Sequence, residues 1–169
     1  MSPAEFADLF DACPDGRAWA VANCATMDDA WATARPDWLV WIATRPGVLD
    51  DRTLRRFAVW SARQVQHLMT DPRSLAALDV AERHAEGQAT DVELAAAGAA
   101  ARVAARVAAW DAFAAAGAAA GAAAGDAAWA ARTAAFAAAR AAARAAQAAW
   151  LRANAKPDWA RARQMGGAR

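Results

Sequence analysis

A chain of 169 residues with a net charge of +1 is long enough to bury the core of one domain and too weakly charged to be read as disordered. Its 58% hydrophobic content is inflated by alanine: Leu, Ile, Val and Phe number 24, so nine Trp must supply much of the large buriable surface. The two cysteines form no disulfide framework, the start Met1-Ser2-Pro3-Ala4-Glu5 is not a secretory leader, and the longest uncharged run, 14 residues over 112–125, is too short to span a bilayer. A reduced, cytoplasmic protein is the expectation.

Helix signals recur along the chain and strand signals are nearly absent. Ser2-Pro3-Ala4-Glu5 is a capping box with proline at the first helical position, and it predicts a short helix carrying Phe6, Leu9 and Phe10. Pro14-Asp15-Gly16 reads as a break, with a second short helix over Arg17 to Cys24. Thr26 caps a third around Trp31, with Asp28 and Asp29 in the favourable first turn. Asp37 reads as the cap of a strongly apolar helix from Trp38 to Thr44, which Pro46-Gly47 ends.

Asp50 or Asp51 opens a longer helix predicted to reach about Met69. Asp71-Pro72 then starts another, with Leu75, Leu78 and Ala81 inward and Asp79, Glu82, Arg83 and Glu86 outward, closed by Gly87. Thr90-Asp91-Val92-Glu93 is a further capping box. It opens an alanine-rich helix with Val103, Val107, Trp110 and Phe113 on one face. Gly117, Gly121 and Gly125 predict a break within 115–126, and a second alanine-rich helix runs from there to about Ala153.

Between residues 95 and 149, 36 of 55 residues are alanine. The exceptions after Asp126 are not scattered. On a helical wheel Trp129, Arg132, Thr133, Phe136, Arg140, Arg144, Gln147 and Trp150 occupy about 120°. Since 19 of the 24 large apolar residues precede residue 95, the main core belongs to the N-terminal half. The expected fold is all-α: a helical bundle with short N-terminal helices packed against long, antiparallel, alanine-rich helices. It is read as a single domain over 1–169, with a Trp-rich acidic half (1–94), alanine-rich basic helices (95–153) and a tail (154–169) that frays after Trp159.

Charge follows the same division. Residues 1–94 carry 9 Arg against 15 Asp and Glu, and residues 95–169 carry 10 basic side chains against 3 Asp. The basic half suits either phosphate contacts or docking against the acidic half, and the second reading is preferred.

Few residues suggest catalysis. Cys13, Cys24, His67 and His84 are of metal-ligating type but lack metal-site spacing, and they read as buried thiols and surface imidazoles. Ser2, Ser61 and Ser74 have no nucleophile context, and no phosphate-binding loop is present. No enzyme activity, metal or cofactor is therefore expected.

The candidate binding residues are Trp129, Arg132, Phe136, Arg140 and Arg144 on the alanine-rich stripe, and Trp38 and Trp41 in the N-terminal half. Arginine beside aromatics suits stacked bases and phosphates. It also suits tryptophans entering a core while arginine stems run over them, which is the preferred reading for the stripe. Trp38 and Trp41 cannot both easily hide on so short a helix unless it is nearly surrounded, although core positions are the preferred reading for most of the nine Trp.

The segments Asp71-Pro72-Arg73-Ser74-Leu75-Ala76-Ala77-Leu78 and Ala85-Glu86-Gly87-Gln88-Ala89, with Leu94 and the alanine-rich run after it, resemble a group of bacterial and phage proteins labelled immunity proteins. Ala12-Cys13, Trp19 and Trp38-Leu39-Val40-Trp41 resemble the N-terminal part of the same group. The resemblance covers roughly residues 10–150 and rests on caps and packing positions. It implies a small intracellular binder: a stoichiometric inhibitor of a protein partner, either a toxin or a host-defence complex. Two alternatives stay open, a nucleotide or nucleic-acid binder using the basic half and a self-assembling helical structural protein.

Overall fold

A computed structural model describes residues 1–64, 66–68, 71–100 and 125–167, with side chains described except at 68 and 125–136. Every regular element among the described residues is helical. In chain order these are α1 (Pro3–Leu9), α2 (Pro14–Asn23), α3 (Met27–Thr33), α4 (Pro36–Ala43), α5 (Asp51–Arg63), a 3₁₀ turn (Gln66–Leu68), α6 (Pro72–Ala85), α7 (residues 91–100 as far as described), α8 (Gly125–Asn154) and α9 (Trp159–Gly166). The expected apolar face at Val103, Val107, Trp110 and Phe113, and the expected break before Gly125, lie outside the described residues. The chain divides into two compact units, Met1–Leu54 with Ala141–Arg169, and Arg55–Arg140.

The first unit is a set of short helices made possible by their caps. Isolated helices of seven to ten residues are marginal, because nucleation is costly and the first N–H groups lack partners. Ser2 and Glu5 close a capping box on α1, and Thr26 and Asp29 close one on α3. Proline occupies the first turn of α1, α2 and α4, where its missing N–H is no loss.

This last feature corrects two expected boundaries. Pro14 begins α2 rather than separating it from α1, and Cys13 is its N-cap, with Sγ accepting from Gly16 N–H at 3.4 Å. Asp37 does not cap α4: Pro36 is already helical, Arg35 holds the cap position without a side-chain capping bond to the helix N–H groups, and Asp37 lies in the first turn.

The core of this unit is built from Phe6, Phe10, Met27, Trp31, Leu39, Ile42, Val48 and Leu49, joined by Ala148 and Leu151 of α8 and Ala162 of α9. Leu39, Val48, Leu151 and Ala162 are fully buried. Arg152 reaches back from α8 to donate to the carbonyls of Trp31 (3.2 Å) and Ala34 at the C-terminus of α3. There a cation satisfies orphan carbonyls and opposes the negative end of the helix dipole.

The expectation of a frayed tail is not met. Asp158 caps α9 by accepting from Arg161 N–H (2.9 Å), and Asp158 N–H itself donates to Val48 C=O (2.8 Å). The small residues Ala162 and Gly166 let α9 approach closely: a Cβ on Gly166 would come within 2.5 Å of Leu9 and 3.0 Å of Phe10. Fraying is suppressed because this segment buries a face and has a capped end.

Acidic and basic segments also meet inside this unit. Arg163 Nη2 donates to Glu5 Oε2 at 2.9 Å within an ion pair, and hydrogen bonding from Arg163 leads the influences holding the Glu5 carboxyl below its ordinary 4.5. Arg17 does the same for Asp8, and the Thr26 cap bonds do so for Asp29. A lowered folded-state pKa stabilises the fold above the unfolded value, and that contribution is lost as pH falls through the lowered one. The melting temperature should therefore be level above about pH 5 and fall from about pH 4.5 downward. A melting temperature unchanged between pH 5 and pH 3 would contradict these pairings.

In the second unit, Phe57, Val59, Leu78 and Ala85 are buried. Arg63 of α5 bridges Asp79 (2.7 Å) and Glu82 of α6, while Arg56 pairs with Glu86 at 3.0 Å. The helix expected to reach Met69 ends at Arg63, and a 3₁₀ turn at 66–68 follows. Gly87 ends α6 as expected. At φ +77° it permits paired bonds from Gly87 N–H to His84 C=O (3.0 Å) and from Gln88 N–H to Arg83 C=O (2.7 Å), the Schellman pattern. The Thr90–Glu93 capping box forms in both directions at the start of α7.

A tryptophan-lined pocket as candidate functional site

Four short helices each turn a one-face triplet or pair toward one space. Residues three and four apart share a helix face. Pro3, Phe6 and Ala7 come from α1; Gly16, Trp19 and Ala20 from α2; Met27 and Ala30 from α3; Trp38, Trp41 and Ile42 from α4. Together they line a pocket of about 290 Å³ within the first unit. Small residues on α2 and α3 create the space, and three half-buried indoles with Phe6 give it aromatic walls.

The rings brace one another. Trp19 and Trp38 have centroids 5.3 Å apart at 44°, and Phe6 meets Trp41 edge to face at 6.0 Å and 86°. Gly16 lies beside these rings: a Cβ there would make a tight contact with Cys13 Sγ at 3.1 Å and an ordinary one with Trp38 at 3.7 Å.

Asp37 is the single lining residue that carries a formal charge at neutral pH. Its carboxylate accepts from Arg35 Nη2 at 2.6 Å, and the Arg35 guanidinium lies 4.1 Å from the Trp38 ring centroid. Burial raises the Asp37 carboxyl, but the Arg35 hydrogen bond, backbone N–H bonds and the Arg35 charge outweigh it, leaving the group below its ordinary 3.8. Arg45 is held similarly over Trp41, 4.7 Å from its centroid, with Nε donating to Trp41 C=O at 3.1 Å. These cation–π contacts fix both indoles from the chain's own side.

The pocket lining is apolar and aromatic apart from Asp37 and Cys13. Among the described residues no cluster of three His, Cys, Asp or Glu could hold a metal. Cys13 contributes an exposed thiol at the rim, whereas Cys24 is buried. Cys13 thus departs from the expected burial, and of the two imidazoles His84 alone departs from the expected surface position. His67 is exposed, but the His84 side chain is 8% exposed, with Nε2 2.8 Å from Asp91 Oδ1 and Nδ1 without a hydrogen-bond partner among the described residues. That pair lies in the second unit and has no nucleophile bonded to it.

The sequence-derived candidates separate. Trp38 and Trp41 line the pocket together. Arg144, in the first unit, is exposed and donates to Gln147 Oε1 at 3.2 Å; Arg140, in the second, is also exposed. The side chains of Trp129, Arg132 and Phe136 lie outside the described residues.

Sequence reading did not identify Phe6, Gly16 and Trp19 as site residues. The signal was present in α2 as Gly16, Trp19 and Ala20 at helical spacing. Starting that helix at Arg17 left Gly16 outside it and dissolved the pattern.

Compared with family models, curated proteins and solved structures, the chain matches none.

Proposed function

We propose that the protein is a non-enzymatic binder that inhibits a protein partner stoichiometrically, acting in conflict between bacteria or between phage and host. The partner would be a toxin or a component of a host-defence complex, as the resemblance to immunity proteins implies. The observation that carries the binding part of this reading is the pocket. Three half-buried tryptophans and Phe6 surround about 290 Å³ of space with no nucleophile–base pair in it. Trp and Arg are among the residue types enriched in the few positions that dominate binding energy at protein interfaces. The alanine-rich helices then serve as antiparallel arms of a helical bundle that presents this face.

The test is capture from the cells in which the protein is made. Tagged wild-type chain is expected to retain one specific protein at a one-to-one ratio. Trp38→Ala, folded by circular dichroism, is expected to lose at least tenfold in affinity for it. Repeated absence of a stoichiometric partner, or retention of the same partner by Trp38→Ala, would overturn the proposal.

A further inference from the structure

We propose that the pocket receives one bulky apolar side chain from a basic partner segment, whose lysines or arginines meet carboxylates at the rim. This rests on the reading of the pocket as the partner-binding site and specifies the chemistry of what enters it.

Size points to a side chain. Sites that enclose whole small ligands occupy about 300–1,000 Å³, so a pocket of about 290 Å³ is at the lower edge of that range. It suits one Leu, Phe or Trp inserted from a larger surface. The walls agree, with Phe6, Met27, Ile42 and three indoles offering dispersion and ring-edge contacts.

Charge points to a basic flank. Residues 1–45, which supply every lining residue and the Arg45 stacked on Trp41, hold seven carboxylates and three arginines. Five of the carboxylates are engaged within the unit: Glu5 by Arg163, Asp8 by Arg17, Asp37 by Arg35, Asp28 by the Trp159 indole N–H, and Asp29 by the Thr26 cap. Asp11 and Asp15 remain exposed, and their carboxylates make no hydrogen bond or ion pair among the described residues. They flank the rim in sequence: Asp11 precedes Ala12, and Asp15 precedes Gly16, both lining residues. A segment with Lys or Arg beside its apolar anchor gains attraction at these two positions, and an acidic segment meets repulsion.

The probes are fluorescein-labelled 15-residue alanine–lysine peptides read by anisotropy against the full chain. One has a central Phe, a second has Ala in its place, and a third keeps Phe but replaces every Lys by Glu. The Phe–Lys peptide is expected to bind at least tenfold more tightly than either control. Ala20→Leu, which projects into the pocket, is expected to weaken it about tenfold. Asp11→Asn with Asp15→Asn is expected to weaken it about fivefold and to flatten its salt dependence. Equal binding of the Ala or Glu peptide, no binding of any peptide, or a dimer of this chain that closes the pocket would each overturn the proposal. If the peptides fail while Trp38→Ala still abolishes capture of the native partner, the basic-anchor chemistry falls and the pocket's role stands.

Discussion

Replacing Trp159 by alanine is expected to destabilise the first unit by about 3 kcal/mol, seen as a lower midpoint of chemical denaturation. Trp159 is where the C-terminal helix joins the N-terminal ones. Its ring meets Phe6 edge to face at 5.9 Å and 86°, and Trp31 at 6.1 Å and 71°. Its indole N–H donates to Asp28 Oδ1 at 2.8 Å. Truncation to alanine removes both ring contacts, uncovers Phe6 and Trp31 and leaves Asp28 without this donor. Trp159→Phe separates these effects: it keeps most of the packing and loses the hydrogen bond, so a loss of about 1 kcal/mol is expected. A loss below about 1 kcal/mol for Trp159→Ala would mean that α9 contributes little to the unit's stability.

Gly47→Ala is expected to cost at least about 3 kcal/mol, because two penalties coincide at one position. The residue has φ +82°, where an L side chain is strained. A Cβ there would lie 2.8 Å from Ala162 Cα and 2.8 Å from Arg161 C=O, both backbone atoms that cannot swing aside. The substitution therefore pushes α9 away from the turn after α4. Gly87→Ala supplies the comparison, since Gly87 has φ +77° but nothing within 4 Å of a Cβ. It should cost only the left-handed penalty of about 1–2 kcal/mol. Similar losses for the two substitutions in equilibrium unfolding would remove the clash from the explanation.

Both expectations involve the segment that sequence reasoning assigned to a frayed tail. The signals in 154–169 were weak, because Pro157, Asp158 and a lone Trp159 fit a helix start as well as an exposed end. The segment becomes a helix because it finds Phe6, Trp31 and Gly47, partners more than 100 residues away in the chain. No local pattern encodes such contacts.

The pocket shows the same limit at shorter range. Trp38 and Trp41 stood out because two indoles three residues apart on a short helix are hard to bury together. Trp19 did not stand out, since its importance depends on lying 5.3 Å from Trp38. The caps, by contrast, were legible almost residue by residue. Ser2, Thr26, Asp71, Thr90 and Gly87 each act within six residues of themselves, through bonds that need only local backbone geometry.

What the sequence by itself determined was therefore the helical class, the N-terminal position of the large apolar residues and most helix starts. These follow from propensity, periodicity and capping chemistry, which act over one or two turns. The tertiary structure decided which helix faces meet: it brought α9 into the core, turned Arg152 onto the end of α3 and assembled one triplet or pair from each of four helices into a single aromatic pocket. Those outcomes depend on side chains distant in the chain coming within a few ångströms, and on small residues at Gly47, Ala162 and Gly166 that permit the approach.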